Sequence, residues 1–342
     1  MKILYLTWLD PATTDYPLFL AQQWETMGHN VRLFPYDLEF SNRATERLDI
    51  SLAWERPSLR SLLLKRQLDR VCQHLKPDVL LSGGFFLLPE DMHRLQKRHH
   101  FKLGYIIGYN HLMEGATVTA LQAANFLIVH DSYLIPILRG TRYGKIPHVF
   151  FMPCMADPLE HHPLPLNGQD QQAYGGDIAF VGGHSENRIS ALRQLTRYDL
   201  RIWGPSSWKQ FADLAPFHRS EPVYGLKKTK IYNAAKIVLN IEDNEKQINA
   251  ISNRIPEVLA CGGFVISDWR QDLADSPLQE GKSIVTFRTF PELEEKVAYY
   301  LSHPEERKRV SEEGRRIVLG SMTYAHIAPV LASQIADVVR GD

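Results

Sequence analysis

Two stretches of this 342-residue chain place glycine pairs and arginines in an order suited to holding an anion. In Asp177-Ile178-Ala179-Phe180-Val181-Gly182-Gly183-His184-Ser185-Glu186-Asn187-Arg188, an apolar run ends at two glycines and a helical pattern follows, with Ser185 as its N-cap. Glycine lets a ligand come close to the backbone, and a helix N-terminus offers free N–H groups and a partial positive charge. Arg188 falls in the first turn, where a cation opposes the helix dipole by about 0.3–1 kcal/mol. A shared anion, most simply a diphosphate, accounts for it. A tight glycine turn with Arg188 in water accounts for it equally well.

The second stretch runs from Asn253-Arg254-Ile255-Pro256-Glu257 to Ala260-Cys261-Gly262-Gly263-Phe264-Val265-Ile266-Ser267-Asp268. A short helix carries Arg254 and Glu257 one turn apart, ends at the glycines and feeds an apolar strand. Such a carboxylate is suited to a ribose diol, and such an arginine to a bidentate hold on phosphate oxygens. On spacing alone, an exposed ion pair worth about 0.3–0.5 kcal/mol is the simpler account. Two further candidates follow strands. His111, after Ile106-Ile107-Gly108-Tyr109-Asn110, titrates near neutrality and could act as a base or orient an acceptor. Asp131, after Phe126–His130, has a similar claim. A loop residue bonding its own backbone is an equal reading of both.

These residues need a frame. In the first half, the strand candidates are Lys2–Thr7, Asn30–Pro35, Asp78–Ser82, Lys102–Gly108, Phe126–His130 and His148–Pro153. Each is a short continuous apolar run, the pattern of parallel strands buried on both faces. Helical patterns alternate with them: Pro17–Met27, stopped by Gly28, and Leu59–Leu75 with its 3.6-residue apolar stripe. Pro153, Pro158, Pro163 and Pro165 mark a linker over 152–173. The alternation then restarts, with strands at Asp177–Val181, Asp199–Trp203, Ile237–Ile241, Gly263–Ser267 and Ser283–Phe287 and a helical C-terminus. Thr289 and Ser302 each precede a Glu by three residues, the capping-box spacing. The expected fold class is α/β: two doubly wound, Rossmann-like domains facing each other across a cleft, at 1–155 and 156–342. The last helix is free to pack back on the first domain. Ligands of such sheets bind at the carboxyl ends of the strands.

Composition narrows the partners. Lys plus Arg (39) balances Asp plus Glu (39), so the global positive excess of nucleic-acid binding is missing. No run approaches a membrane span, and the apolar start closes at Asp10, too short for a signal peptide, so a soluble cytoplasmic protein is expected. Cys72, Cys154 and Cys261 form neither a disulfide framework nor a zinc pattern. The adjacent pairs His99-His100 and His161-His162 cannot present two metal ligands on one face. No nucleophile elbow, P-loop or dinucleotide fingerprint occurs.

With these motifs in order, the chain resembles the GT-B-fold glycosyltransferases, and within them the spore-maturation (CgeB-type) group. The likeness covers roughly 150–325 and rests on Phe180-Val181-Gly182-Gly183 with Arg188, Arg201-Ile202-Trp203-Gly204, Val223-Tyr224-Gly225, Ile237-Val238-Leu239-Asn240 and Arg254…Glu257…Gly262-Gly263. It implies a nucleoside-diphosphate sugar as donor and substrate, no cofactor and no metal. It further implies Gly182, Gly183, Arg188 and Arg254 at the diphosphate and Glu257 at the ribose. Gly204 and Tyr224 would border the base, with Asn240 and Gly262 at the pocket floor. Retaining relatives of the family-four type carry a second glutamate eight residues before the ribose-binding one; here that position is Asn249. The acceptor (glycan, small molecule or protein) and the stereochemical outcome stay open. The alternatives are a nucleotide-sugar epimerase or hydrolase on the same frame, and a non-catalytic sugar- or protein-binding module.

Overall fold

The structure, a computed structural model, describes residues 1–7, 15–35, 59–84, 87–108, 116–140, 146, 148–220, 222–243 and 247–341. The chain divides into two units. One comprises Met1–Met152 and Ala325–Asp342, the other Pro153–Tyr324.

In the first unit, β1 (Lys2–Thr7), α1 (Asp15–Thr26), β2 (Asn30–Pro35), α2 (Leu59–Leu75), β3 (Val79–Ser82), α3 (Pro89–His99), β4 (Lys102–Ile107), α4 (Ala116–Gln122), β5 (Phe126–Val129), α5 (Leu134–Arg139) and β6 (Val149–Phe151) alternate along the described residues. The strands form one parallel sheet in the order β2-β1-β3-β4-β5-β6. β3 and β5 are buried along their whole length, because helices cover both faces. Gly28 has φ +83°, and its N–H bonds back to the Glu25 carbonyl at 2.9 Å, the left-handed stop expected after α1.

The second unit repeats the pattern: α6 (Gly168–Tyr174), β7 (Gly176–Val181), α7 (Glu186–Arg193), β8 (Leu200–Trp203), β9 (His218–Ser220), α8 (Gly225–Ala234), β10 (Ala235–Asn240), α9 (Arg254–Ala260), β11 (Val265–Asp268), α10 (Gln271–Ala274), β12 (Val285–Phe287), α11 (Phe290–Ser302) and α12 (Pro304–Ser321). Its parallel sheet runs β12-β11-β10-β7-β8-β9. β9 has no counterpart among the expected strands. It is a three-residue edge strand of His218-Arg219-Ser220 with an irregular register, and an edge strand needs backbone bonds on one side only. The last helix, α13 (Tyr324–Arg340), belongs to the first unit, where the Trp24 indole donates to the Ala328 carbonyl at 2.9 Å.

The proline-rich stretch is no loose tether. Cys154 Sγ donates to the Ile251 carbonyl at 2.9 Å, Ala156 bridges to Thr323, and Asn233 Oδ1 accepts the Leu164 N–H at 2.9 Å. A capping box of Asn167 and Asp170 opens α6 within it. Prolines hide this packing from periodicity because they suppress regular structure without preventing burial. Of the two later capping boxes, Thr289 Oγ1 does accept the Glu292 N–H, at 3.3 Å. Ser302 does not cap: His303 is the N-cap of α12, and the Ser302 hydroxyl donates to Ala298 and Tyr299 carbonyls at the end of α11.

Candidate functional site

The strand order sets β7 between β8 and β10, so Val181, Trp203 and Asn240 end side by side at the carboxyl edge of the second sheet. The chain turns there at Gly182-Gly183. Gly182 N–H donates to the Trp203 carbonyl at 2.9 Å, and its own carbonyl accepts from the Trp208 indole at 2.9 Å. A Cβ at Gly204 would stand 2.2 Å from that carbonyl, so close backbone packing dictates glycine there. Trp203 and Trp208 are both core, 3% and 0% exposed. Gly183 differs: a Cβ there would meet nothing within 4 Å, which leaves its backbone open to a ligand.

Two half-buried arginines flank the Phe180 ring at this turn, with guanidinium carbons 5.7 Å (Arg188) and 5.4 Å (Arg254) from its centroid. Arg188 donates to the Ile241 carbonyl at 2.7 Å and the Gly183 carbonyl at 3.2 Å. Arg254 donates to the Val181 carbonyl at 3.1 and 2.5 Å, to Asn240 Oδ1, and to Ser252 Oγ at 3.2 Å. All these acceptors are neutral. Burial lowers the pKa of Arg188 and the neighbouring Arg254 charge adds to the effect, against opposing pulls from Glu242, Asp243 and Asp268. Ser185 is the N-cap of α7, as its sequence implies, but its hydroxyl donates to Asn187 Oδ1 at 2.6 Å and closes no backbone cap.

Below the arginines lies a buried polar layer. Asn240 Nδ2 donates to Glu242 Oε1 (2.7 Å) and Ser267 Oγ (3.0 Å), while its Oδ1 accepts from Ser252 Oγ at 2.6 Å. Ser252 N–H donates to Glu242 Oε1 at 2.6 Å. Glu242 Oε2 is buried without a hydrogen-bond partner. Asp268 accepts from Arg270 at 2.6 Å and from the Glu242 N–H at 3.2 Å; burial and the Glu242 charge push its pKa up to about 6. Residue types alone do not single out Ser252, Ser267 or Arg270.

Glu257, one turn into α9, is 5% exposed. Its Oε1 accepts from Lys228 Nζ at 3.1 Å, with His161 Nε2 at 3.7 Å, and its Oε2 accepts from the Tyr232 hydroxyl at 3.3 Å. Burial would raise its pKa, but Lys228, His161 and Arg254 overcome that and hold it below the usual carboxylate value. The carboxylate is therefore charged and held from inside the unit. A ribose diol would have to share its oxygens with Lys228 and Tyr232.

Known proteins share this frame. Residues 185–333 match the glycosyl transferase-like family model. Spore protein CgeB of Bacillus subtilis (strain 168) is 22% identical over 197 residues, covering 52% of this chain and 58% of that protein, so the chain spans little more than half of that relative's length. Sucrose-phosphate synthase (tll1590) from Thermosynechococcus elongatus superposes with TM-score 0.71 at 12% identity over the whole of both chains. Anabaena Alr3699/HepE in complex with UDP-glucose gives 0.70 at 12% identity over 98% of this chain and 100% of that one. This is the GT-B fold.

In the GT-B frame, the carboxyl edge of the second unit gathers Gly182, Gly183, Arg188, Gly204, Asn240, Arg254 and Glu257. Tyr224 stands there as N-cap of α8, 37% exposed. Gly262 stands apart from these residues. α9 starts at the carboxyl edge and ends at the amino edge, so Gly262, with φ +77°, lies a helix length away among Pro163 and Arg315 and forms no floor for the same pocket. Gly204 is likewise a packing glycine, its Cα pressed on the Gly182 carbonyl. Asp131 is fully buried in the first unit, and its carboxylate accepts the Tyr133 N–H at 3.0 Å in the turn into α5, a structural use. His111 lies outside the described residues. Among the described residues no helix is long and apolar enough to cross a membrane, and no cluster of three or more His, Cys, Asp or Glu is placed to hold a metal ion.

Proposed function

We propose that this chain is a metal-independent glycosyltransferase, which moves a hexosyl group from a nucleoside-diphosphate sugar to a hydroxyl acceptor. The carrying observation is the pair Arg188 and Arg254 beside the open Gly183 backbone. Both are half-buried, bonded only to neutral acceptors and mutually repulsive. Two like charges so placed are stabilised by an anion that both can reach. As the bond from the sugar's anomeric carbon to the diphosphate oxygen breaks, negative charge grows on the leaving phosphate. Fixed guanidinium groups, the Gly183 amide and the start of α7 meet that charge without reorganising, the arrangement that lowers transition-state energy most. The glycosyl transferase-like match over 185–333 supports the same reading, and the UDP-glucose complex of the Anabaena neighbour makes that donor the first probe. His111 stays the sequence's candidate for the base that takes the acceptor's proton.

The test is a titration of UDP, GDP, TDP and CDP, followed by nucleotide release from the matching sugar donor with and without acceptors. One of the four should bind in the micromolar range. Arg188→Ala should weaken that binding by tenfold or more, about 1.4 kcal/mol, while unfolding shifts less than that in free-energy terms. Absence of binding at millimolar nucleotide overturns the proposal.

A further inference from the structure

A second cationic hollow lies at the other edge of the second unit. A cavity of about 530 Å³ opens at the amino ends of β10 and β11, lined by Lys236, Arg307, Lys308 and Arg315 against the single acid Glu312, with Gly262 in its wall. β10 is six residues long, so at about 3.3 Å per residue this edge is about 16 Å from the Arg188–Arg254 turn. The two arginines are braced from behind. Arg315 Nε donates to the Ala260 carbonyl at 3.1 Å, and Arg307 Nη1 to the Tyr300 and Leu301 carbonyls, the latter at 3.1 Å. Those carbonyls end α9 and α11, where helix dipoles favour cations. That accounts for the backs of the two guanidiniums. It does not account for Lys308, whose ammonium lies 3.9 Å from Glu312 with both side chains about two-thirds exposed, on the rim of the same open hollow. Lys236 is paired with Asp177 at 2.9 Å. Burial lowers the pKa of Arg307, and Asp177 offsets only part of it, so holding this charge has a cost that an anion would relieve.

We propose that this hollow is a binding site for a small phosphate-bearing anion, separate from the site at the carboxyl edge. Its volume suits a ligand of a few rings at most. Arg307 and Arg315 present planar, multi-donor groups, and Lys308 supplies a point charge, the combination that suits a phosphomonoester. The phosphate can belong to a free metabolite or to a lipid headgroup.

Inorganic phosphate is titrated calorimetrically into the wild-type chain, Lys308→Glu, Arg307→Gln and, as an exposed lysine outside both sites, Lys282→Glu. Lys308→Glu removes no bond that the fold uses, so it stays informative if Arg307→Gln unfolds. Both hollow variants should lose tenfold or more in affinity, and Lys282→Glu should retain the wild-type value. In parallel, phosphatidylcholine vesicles with and without phosphatidic acid are sedimented with each protein. Binding to the acidic vesicles that Lys308→Glu abolishes assigns the headgroup; phosphate binding without sedimentation assigns a free metabolite. Unchanged affinity in Lys308→Glu, or no binding of either probe, overturns the proposal.

Discussion

Replacing Lys228 by Met would isolate the Glu257 carboxylate in the core of the second unit. Lys228 is 8% exposed, its ammonium is 3.1 Å from Glu257, and the other neighbours cannot take over its charge. Tyr232 offers one neutral hydroxyl. His161 Nε2 stands 3.7 Å away, beyond hydrogen-bond reach. Removing one partner of a buried pair costs about 3–5 kcal/mol. Protonation caps the loss. From the ordinary glutamate value of 4.5, neutralising Glu257 at pH 7 costs about 2.5 units at 1.36 kcal/mol each, or about 3.4 kcal/mol. The sign follows from linkage. In the wild type the depressed folded pKa gives stability that is present above the unfolded value and lost as pH falls through the folded one. In the variant the folded pKa is raised, and the penalty vanishes as pH falls toward 4.5. Urea unfolding at pH 7, 6 and 5 should therefore show a deficit of about 3 kcal/mol at pH 7 that shrinks to about 1 kcal/mol at pH 5. Adding Glu257→Leu should recover most of it, since an apolar pair leaves no stranded charge. A deficit below about 1 kcal/mol at pH 7, or one equal at pH 5 and pH 7, refutes the buried-pair account.

Two other perturbations read the carboxyl edge. Gly204→Ala drives a methyl to 2.2 Å from the Gly182 carbonyl and disturbs the Trp208 bond to it, so thermal unfolding should show a loss of about 2–4 kcal/mol. Gly183→Ala, where nothing lies within 4 Å, should leave the unfolding temperature unchanged and weaken nucleoside diphosphate binding; equal effects of the two substitutions would contradict the packing argument. Asp268, with its pKa raised to about 6, binds a proton more readily folded than unfolded, so its contribution to stability is lost as pH rises from about 4 to 6. Asp268→Asn should remove that downward slope, about 1.4 kcal/mol per pH unit at most, and parallel stability curves for variant and wild type over pH 4–6 would rule it out.

The donor-site candidates were legible to different depths for identifiable reasons. Gly182-Gly183 and Arg188 stand together because they are close in sequence and a strand-to-helix turn is a local event. Arg254 joins them through Val181, 73 residues away, and Asn240, 14 residues away. Gly262 is separated from Arg254 by the length of α9, a distance that their closeness in the motif hides. Gly204 reads as a ligand glycine until the Gly182 carbonyl is seen against it. Lys228 and His161 carry no signal of their own, since a lysine and one histidine of a pair are ordinary surface residues until a buried carboxylate faces them.

The amino-acid sequence by itself determined the alternation of strands and helices, the burial of inner strands such as β3 and β5 on both faces, the left-handed stop at Gly28 and the Thr289 cap, whereas the edge strand β2 has one buried residue of six. Each depends on a residue's neighbours within a turn or two, where side-chain shape and periodicity act directly. The tertiary structure alone decided which charges compensate one another. β10 settles beside β7, not beside the strand that precedes it in the chain, and that ordering brings two arginines to one turn. The same packing sinks Glu257 onto a lysine 29 residues earlier. Such pairings follow from how whole elements stack over the sheet, and no local spacing encodes them.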